Sequence, residues 1–481
     1  MNPISPLPFH RRAEDALADA HLNSTLRRVT TRIQDSRAAG LDRLPASDDW
    51  RDHARAIRAH TLAHLDRYVD QFVTNVEALG GHVHFASTAD DAVTYVTDLA
   101  RAKGLTKAVK SKSMISEEIH LNDHLERAGL QVVETDLGEW VVQLAQDHPS
   151  HVIMPIIHKS AGDVADLFRR SLGATVAVVA DVPAMTKLAR ERLRPEFLAA
   201  DLGISGVNFG VADTGSLCIC TNEGNGRLVT TLPRVHVAMM GIERIVPDIP
   251  SLGTVLQVLA RSATGQNLTV YTNLLTGPRR PGEADGPDEL HVVLVDNGRT
   301  KVLGSSEAEI LYCIRCGACL NACPVYQQIG GHAYGSVYPG PVGAVLTPAL
   351  WGQQDWTDLP HASSLCGACR EVCPVRIDIP RMLLSLRAKG VAEGRAPSWI
   401  GQGLAMFRRV AARPWLFAAA GKAAAIGSRV LASKGWIRRM PGPLSGWTQS
   451  RDFPAMASES FQERWKKRKA AGGTTKRGPA S

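Results

Sequence analysis

Several common signals are missing from this 481-residue chain. Its first residues, MNPISPLPFHRRAEDALADAH, contain no apolar core of signal-peptide type and no cleavage-type site. No stretch reaches the roughly 20 uninterrupted apolar residues of a spanning helix. The longest candidate, Trp415 to Ile426, is short and carries Lys422. There is no G-x-G-x-x-G after a strand-like run, no Walker A loop and no C-x-x-C-H, so dinucleotide, P-loop and attached-haem chemistry have no visible home. Aromatic residues make up only 5% of the chain, and no nucleic-acid-binding module is recognisable, which argues against a nucleic-acid partner. The absent export signal and the cysteine usage described below place the expected location in the cytoplasm.

What remains is ordinary for a globular protein: 44% apolar and 21% charged residues, long enough for about three domains. The formal net charge is +8, with basic residues gathered near the C-terminus (Arg464, Lys466, Lys467, Arg468, Lys469, Lys476, Arg477). Such a tail is expected to be solvated, the alternative being peripheral contact with an anionic membrane face.

Four regions follow from the patterning. Residues 1–70 read as helical, with apolar positions at three- and four-residue steps from Arg51 until Gly80-Gly81 stops the helix. Residues 71–300 alternate short β-rich runs (His82–Phe85, Val152–Ile157, Thr175–Val179, Val235–Met239, His291–Val295) with helical stretches such as Asp90–Lys103, Ser116–Ala128, Ser160–Arg170 and Met185–Ala200. That alternation predicts an α/β layer fold with a largely parallel sheet. Residues 301–395 hold the cysteine motifs, separated by a Gly-, Pro- and Tyr-rich stretch (Pro324 to Leu365) expected to be an irregular loop. Residues 396–481 mix Ala-rich helices with Pro-Gly breaks and contain Trp399, Trp415, Trp436, Trp447 and Trp465. We expect these tryptophans to pack a small helical appendage, the alternative being an interaction or membrane-interface surface.

Seven of the nine cysteines fall between residues 313 and 373. Cys313, Cys316, Cys319 and Cys323-Pro324 read C-x2-C-x2-C-x3-C-P; Cys366, Cys369 and Cys373-Pro374 read C-x2-C-x3-C-P. This spacing is that of bacterial ferredoxins with 4Fe-4S clusters. Structural zinc sites use four ligands in C-x2-C pairs and fit it poorly. In two-cluster ferredoxins the last cysteine of each run ligates the other cluster. Cluster 1 would then take Cys313, Cys316, Cys319 and Cys373, and cluster 2 would take Cys323, Cys366 and Cys369. The missing ligand falls three residues before Cys366, where Ser363 stands. Three outcomes stay open: a 4Fe-4S cluster with a non-cysteine ligand (Ser363, His361, water or a partner group), a 3Fe-4S cluster, or a thiolate supplied by Cys218 or Cys220. The last two lie in a β-type run and read by default as buried, inert residues. Arg315, Arg370 and Arg376 lie within the motifs, where positive charge would stabilise a reduced cluster.

Other candidates are polar turns. Asp213-Thr214-Gly215-Ser216 and Asn222-Glu223-Gly224-Asn225-Gly226-Arg227 flank a short strand and could hold an anion, with Glu223 and Arg227 as a carboxylate–guanidinium pair. A tight hairpin needing glycine explains them equally. Lys110 and Lys112 precede a helix whose Glu117 and Glu118 complement its dipole, leaving both lysines free for an anion.

The stretches KSKSMISEE, GVADTGSLCICTNEGNGR, CIRCGACLNACPVY and SSLCGACREVCPVRIDIP, in that order, resemble the lactate utilisation protein B family of iron–sulfur proteins. The resemblance runs from about residue 70 into the C-terminal helical region. It implies an α/β LUD-type domain similar in fold to sugar-phosphate isomerases and CoA transferases, a ferredoxin-like two-cluster domain and a helical C-terminal appendage. It further implies an electron-carrying role, with partner proteins A and C, in oxidising L-lactate to pyruvate. The seven cluster cysteines match the family, so Ser363 looks like part of its pattern. The alternative is that the chain is itself a hydroxy-acid oxidoreductase using an incompletely ligated iron as Lewis acid. Iron and sulfide counts on anoxically purified protein separate the cluster types: about eight irons per chain means two cubes, about seven means one cube and a three-iron cluster.

Overall fold

The computed structural model describes residues 7–172, 180–395, 398–448 and 451–471, so the expected run Thr175–Val179 and the basic residues Lys476 and Arg477 lie outside the described residues. The chain forms two compact units, one up to Glu393 and one from Gly394.

The first unit opens with helices Phe9–Ala18, Ala20–Asp42, Ser47–Ala63 and Leu65–Ala78. The single helix expected from Arg51 to Gly80 is broken at His64, whose φ and ψ of −128° and 35° leave helical space. The two halves serve different neighbours. Ser47–Ala63 packs on helix Ile249–Thr264 and on the turn Ala308–Tyr312, while Leu65–Ala78 packs on strands of the α/β region.

Among the described residues of this unit ten strands follow: β1 (His82–Ala86), β2 (Lys107–Lys110), β3 (Gln131–Glu134), β4 (Leu202–Gly206), β5 (Phe209–Val211), β6 (Ser216–Thr221), β7 (Val235–Gly241), β8 (Ile245–Val246), β9 (Tyr271–Leu275) and β10 (Glu289–Val295). Six of them make a parallel sheet in the order β1-β10-β7-β4-β2-β3, the layer fold the alternation predicts. Its central strands β7 and β10 are buried almost throughout, as parallel strands covered on both faces must be. A second sheet, β8-β5-β6-β9, mixes parallel and antiparallel pairs and was not legible in the pattern.

Three local readings change. Val152–Ile157 is not a strand but a run of bends and turns, closed by Ser150 N–H to Pro155 O and Ile157 N–H to Met154 O. Val152 and Ile153 lie against the cysteine loop: Val152 lines the same cavity as Cys313 and Cys316, and both residues border Gly317. The helix expected over Ser116–Ala128 divides into Met114–Glu118 and Leu121–Arg127 at His120, which takes φ 52°. The stretch between the cysteine runs is irregular at both ends but holds a buried helix, Gly340–Trp351.

The second unit contains helices Ser398–Ala411 and Pro414–Leu431, which pack on each other, a two-residue pairing of Trp436–Ile437 with Phe453–Pro454, and helix Phe461–Ala470 with a Ser460/Glu463 capping box. Its five tryptophans are 46–71% exposed, so they do not form the core expected of them. Among the described residues no helix is long and apolar enough to cross a membrane.

Arg58 ties the first unit together. Fully buried, it donates to Ile245 O at 2.8 Å, to Leu311 O at 3.1 Å and to Glu243 O, joining the N-terminal helices to the second sheet and to the segment that enters the first cysteine run. Arg58→Ala leaves three buried carbonyls without donors and is expected to lower unfolding free energy by about 3 kcal/mol or more, measured by chemical denaturation.

Candidate metal centre

The two cysteine runs are one backbone shape built twice. Arg315 and Leu365, just before Cys316 and Cys366, take φ of 60° and 56°; Gly317 and Gly367, just after, take 75° and 86°. Each turn then feeds a short helix, Ala318–Ala322 or Ala368–Glu371. In the first copy the N–H of Arg315 points at Cys313 Sγ, 3.4 Å away. In the second, the N–H of Leu365 points at Ser363 Oγ, 3.1 Å away. Ser363 therefore occupies the position of Cys313 in conformation as well as in spacing.

The thiols fall into two groups by the charges they impose on each other. Burial pushes Cys316 up to about 12, and its next cause is Cys373. Cys373 rises to about 11 by burial and by Cys313, against N–H groups of Ile377 and Val375 that favour the thiolate. Cys319 is raised by burial and then by Cys313, Cys316, Cys369 and Cys373, so it also feels a thiol of the other group. Cys313, Cys316, Cys319 and Cys373 ring a small apolar cavity with Val152, Ile314, Val342 and Ile377. In the other group, burial pushes Cys369 to about 12, helped by Cys323 and Cys366, and burial raises Cys323, helped by Cys366. Cys366 is exposed, Cys313 and Cys319 are half-buried, and Cys316, Cys323, Cys369 and Cys373 are buried.

So many thiols in a low-dielectric site cannot all ionise without cations to receive them. The surroundings suit a metal–sulfur group. Backbone N–H groups aim at sulfur, as at Cys313 and, from Ile377 at 3.3 Å, at Cys373. Polar atoms nearby are buried with no hydrogen bond: His151 Nε2, Asn321 Nδ2 and the Nε atoms of Arg37 and Arg51. His151 accepts the N–H groups of Ile153 and Met154 at Nδ1, which puts its proton on Nε2, and burial drives its pKa to about 3. Inorganic sulfide would supply the acceptors these donors lack.

Guanidinium groups enclose the first run. Arg244 donates to Cys313 O at 2.7 Å and Arg51 to Cys373 O at 2.9 Å. Arg315 lies over the Tyr338 ring at 4.5 Å and 3.5 Å from Glu243. Of the three motif arginines only this one is buried near sulfur; Arg370 pairs with Asp378, and Arg376 with Asp48 and Asp52, both at more exposed positions.

The remaining candidates separate. A cavity of about 480 Å³ lies at the carboxyl ends of the parallel strands, and Lys112, Asn222, Glu223 and Asn225 line it together with Arg315 and Tyr338. Lys110 does not reach it. That lysine is buried at the end of β2 between Glu134 (2.5 Å) and Glu117 (2.6 Å), so it is not free for an anion. Asp213, Thr214 and Ser216 form a tight turn in which the Thr214 hydroxyl donates to Ser216 Oγ, away from the cavity lining. The expected Glu223–Arg227 pair is absent: Arg227 lies over Tyr271, while Glu223 accepts the N–H of Leu137. The helix starting at Asn225 turns the two side chains apart. Burial and Asp136 raise Glu223 to about 7. Cys218 and Cys220 sit 3.8 Å apart on β6, and neither is among the main charges acting on Cys323 or Cys369. Glu118, read as a dipole partner, instead pairs with Arg299; no local signal marks that contact.

Three family descriptions match successive parts of this chain: "LUD domain" over residues 69–295, "4Fe-4S dicluster domain" over 309–377, and "Lactate utilisation protein B, C-terminal" over 389–470. Proteins named lactate utilization protein B from Shouchella clausii and Bacillus licheniformis are each 45% identical to it, covering 98% of this chain and 98% and 99% of their own. The chain belongs to the lactate utilization protein B family. A family member named lactate utilization protein B 2, from Bacillus mycoides, is 44% identical over 98% of this chain and 99% of its own. A solved structure of a "duf162 family protein" from Deinococcus radiodurans covers 48% of this chain and 98% of its own at 14% identity, and its TM-score of 0.27 carries no argument. The dicluster match agrees with the thiol-rich surroundings in assigning iron–sulfur clusters to this family member.

Gly317 and Gly367 differ in one respect. A Cβ on Gly317 would lie 2.8 Å from His151 Cε1, whereas Gly367 has open space around it. Gly317→Ala should therefore lose iron, while Gly367→Ala should keep it and cost about 1–2 kcal/mol of backbone strain; iron content and denaturation midpoints distinguish them.

Proposed function

We propose that the chain is an iron–sulfur electron-transfer protein that takes part, with lactate utilization proteins A and C, in oxidising L-lactate to pyruvate. The observation that carries this reading is the repeated turn that gathers seven thiols, with Cys366 alone among them exposed and Ser363 standing where an eighth ligand would be. Cys313, Cys316, Cys319 and Cys373 would hold one 4Fe-4S cluster. Cys323, Cys366 and Cys369 would hold a second, completed at Ser363 or left as 3Fe-4S. Such groups supply one-electron redox chemistry when bound.

The chain's own residues do the rest. Backbone N–H groups and Arg315 stabilise negative charge on the first set of sulfurs, and Val152, Val342 and Ile379 keep water from them. The edge where Ser364 and Cys366 are exposed, beside the half-buried Ser363, gives a partner access to the second set. The half-exposed tryptophans and the basic helix Phe461–Ala470 favour docking by the second unit, on a partner or at an anionic membrane face.

The alternative, hydroxy-acid catalysis at an open iron, is favoured by Ser363 standing where a thiolate is expected. Against it, the large cavity is lined by Arg315 of the first run and by none of Ser363, Cys323, Cys366 or Cys369.

Purified alone, the chain should not reduce an artificial acceptor with L-lactate; robust turnover would overturn the electron-carrier reading. Ser363→Cys should change the electron paramagnetic resonance signal of one centre and leave the other unaltered. An unchanged spectrum would place Ser363 away from iron.

A further inference from the structure

The cavity of about 480 Å³ is formed by loops that leave the carboxyl ends of β2, β3, β4, β7 and β10, where open parallel sheets place their ligands. Arg315 of the first cysteine run and Tyr338 also line it. Lys112 and Arg315 are two of the cations in that lining. Lys112 Nζ, on the loop after β2, and Arg315 Nη1, between Cys313 and Cys316, are both buried with no hydrogen bond. Each has a carboxylate close by. Lys112 stands 3.1 Å from Glu139 without a hydrogen bond, and Arg315 shares Glu243 with Arg299. Met154, Ile156, Ile219 and Leu259 form an apolar stretch of the remaining wall, and the carboxylates Asp136 and Glu223 line another part of it.

The size narrows the occupant. Pockets of roughly 300–1,000 Å³ take drug-sized molecules. A three-carbon acid fills on the order of 100 Å³, taking a water-sized group as about 30 Å³. Such an acid would leave most of the apolar wall uncovered.

We propose that this cavity binds a carboxylate-bearing organic anion larger than a three-carbon acid, its head group between Lys112 and Arg315 and its body on the apolar wall. The site is coupled to the thiols through one residue. Arg315 directs its backbone N–H to Cys313 Sγ and its guanidinium into the cavity lining. An anion held on that guanidinium offsets positive charge otherwise felt at the sulfurs, so ligand and electron affinity oppose each other, and reciprocally so. The inference does not need the lactate reading; only its second readout rests on the cluster assignment.

Calorimetry on the anoxically purified full chain tests the site directly, with L-2-hydroxyoctanoate and L-lactate as probes. The longer acid is expected to bind about tenfold tighter or more. Lys112→Met, which removes a charge, and Met154→Trp, which fills the cavity, should each weaken it about tenfold while iron and sulfide content stay unchanged. Redox titration followed by electron paramagnetic resonance should show that L-2-hydroxyoctanoate lowers the midpoint potential of one centre in the native chain and not in Lys112→Met. Equal affinity for the two acids, no binding of either, or undiminished binding in both variants would overturn the proposal. Binding by protein that holds no iron would leave the cavity assignment standing and count against the cluster reading alone.

Discussion

Arg299 makes the contact around which the first unit is arranged. Its guanidinium holds Glu118 through two bonds, at 2.9 and 2.7 Å, and Glu243 through a third at 2.7 Å, and all three side chains are at most 3% exposed. Charges this deep cost several kcal/mol each unless every donor and acceptor is answered. Here they are. Glu118 also accepts from Asn297 and from the Tyr338 hydroxyl, and Glu243 also faces Arg315. Glu118 follows β2, Glu243 follows β7, Arg299 follows β10, and Arg315 and Tyr338 belong to the cysteine region. The ring thus fastens three strand ends to the first cysteine run, and the cavity lies beside it.

The same ring sets the sign of the local field. Around Cys313 the buried groups are the guanidiniums of Arg58, Arg244, Arg299 and Arg315, against the carboxylates of Glu118 and Glu243. This positive excess would be unstable around an empty space. Beside sulfur that carries negative charge it is a counter-charge, and it favours the more reduced state. Positive charge extends through Arg37 and Arg51, whose guanidiniums bond to the carbonyls of Val372 and Cys373.

Features that depend on near neighbours could be read from the sequence, and those that depend on distant ones could not. The cysteine spacing and the gap at Ser363 are local, and the structure repeats the same turn at both places. The parallel layer was legible because β1, β7 and β10 alternate with amphipathic helices. Val152–Ile157 looked like a strand because its residues are β-branched and apolar, but Val152 and Ile153 answer to a cysteine turn far along the chain. Glu118 reads as a helix-start charge and Lys110 as a cation free for an anion. Their partners decide otherwise: Arg299 is 181 residues from Glu118, and Glu134 lies on the neighbouring strand β3. Polarity and a short loop suggested a Glu223–Arg227 pair, yet the start of a helix between them separates the two side chains.

The exposure of Cys366, alone among the seven clustered cysteines, also bears on how the protein meets oxygen. Oxidants act first on sulfur they can reach. Cys366 is open to solvent, and its neighbour Ser363 can be neither oxidised nor lost as a thiolate. Cys316 and Cys373 lie behind apolar side chains and the buried ring of charges. Damage in air should therefore begin at the surface half and spare the inner half for longer, so the molecule carries its weaker point on the side that faces its surroundings.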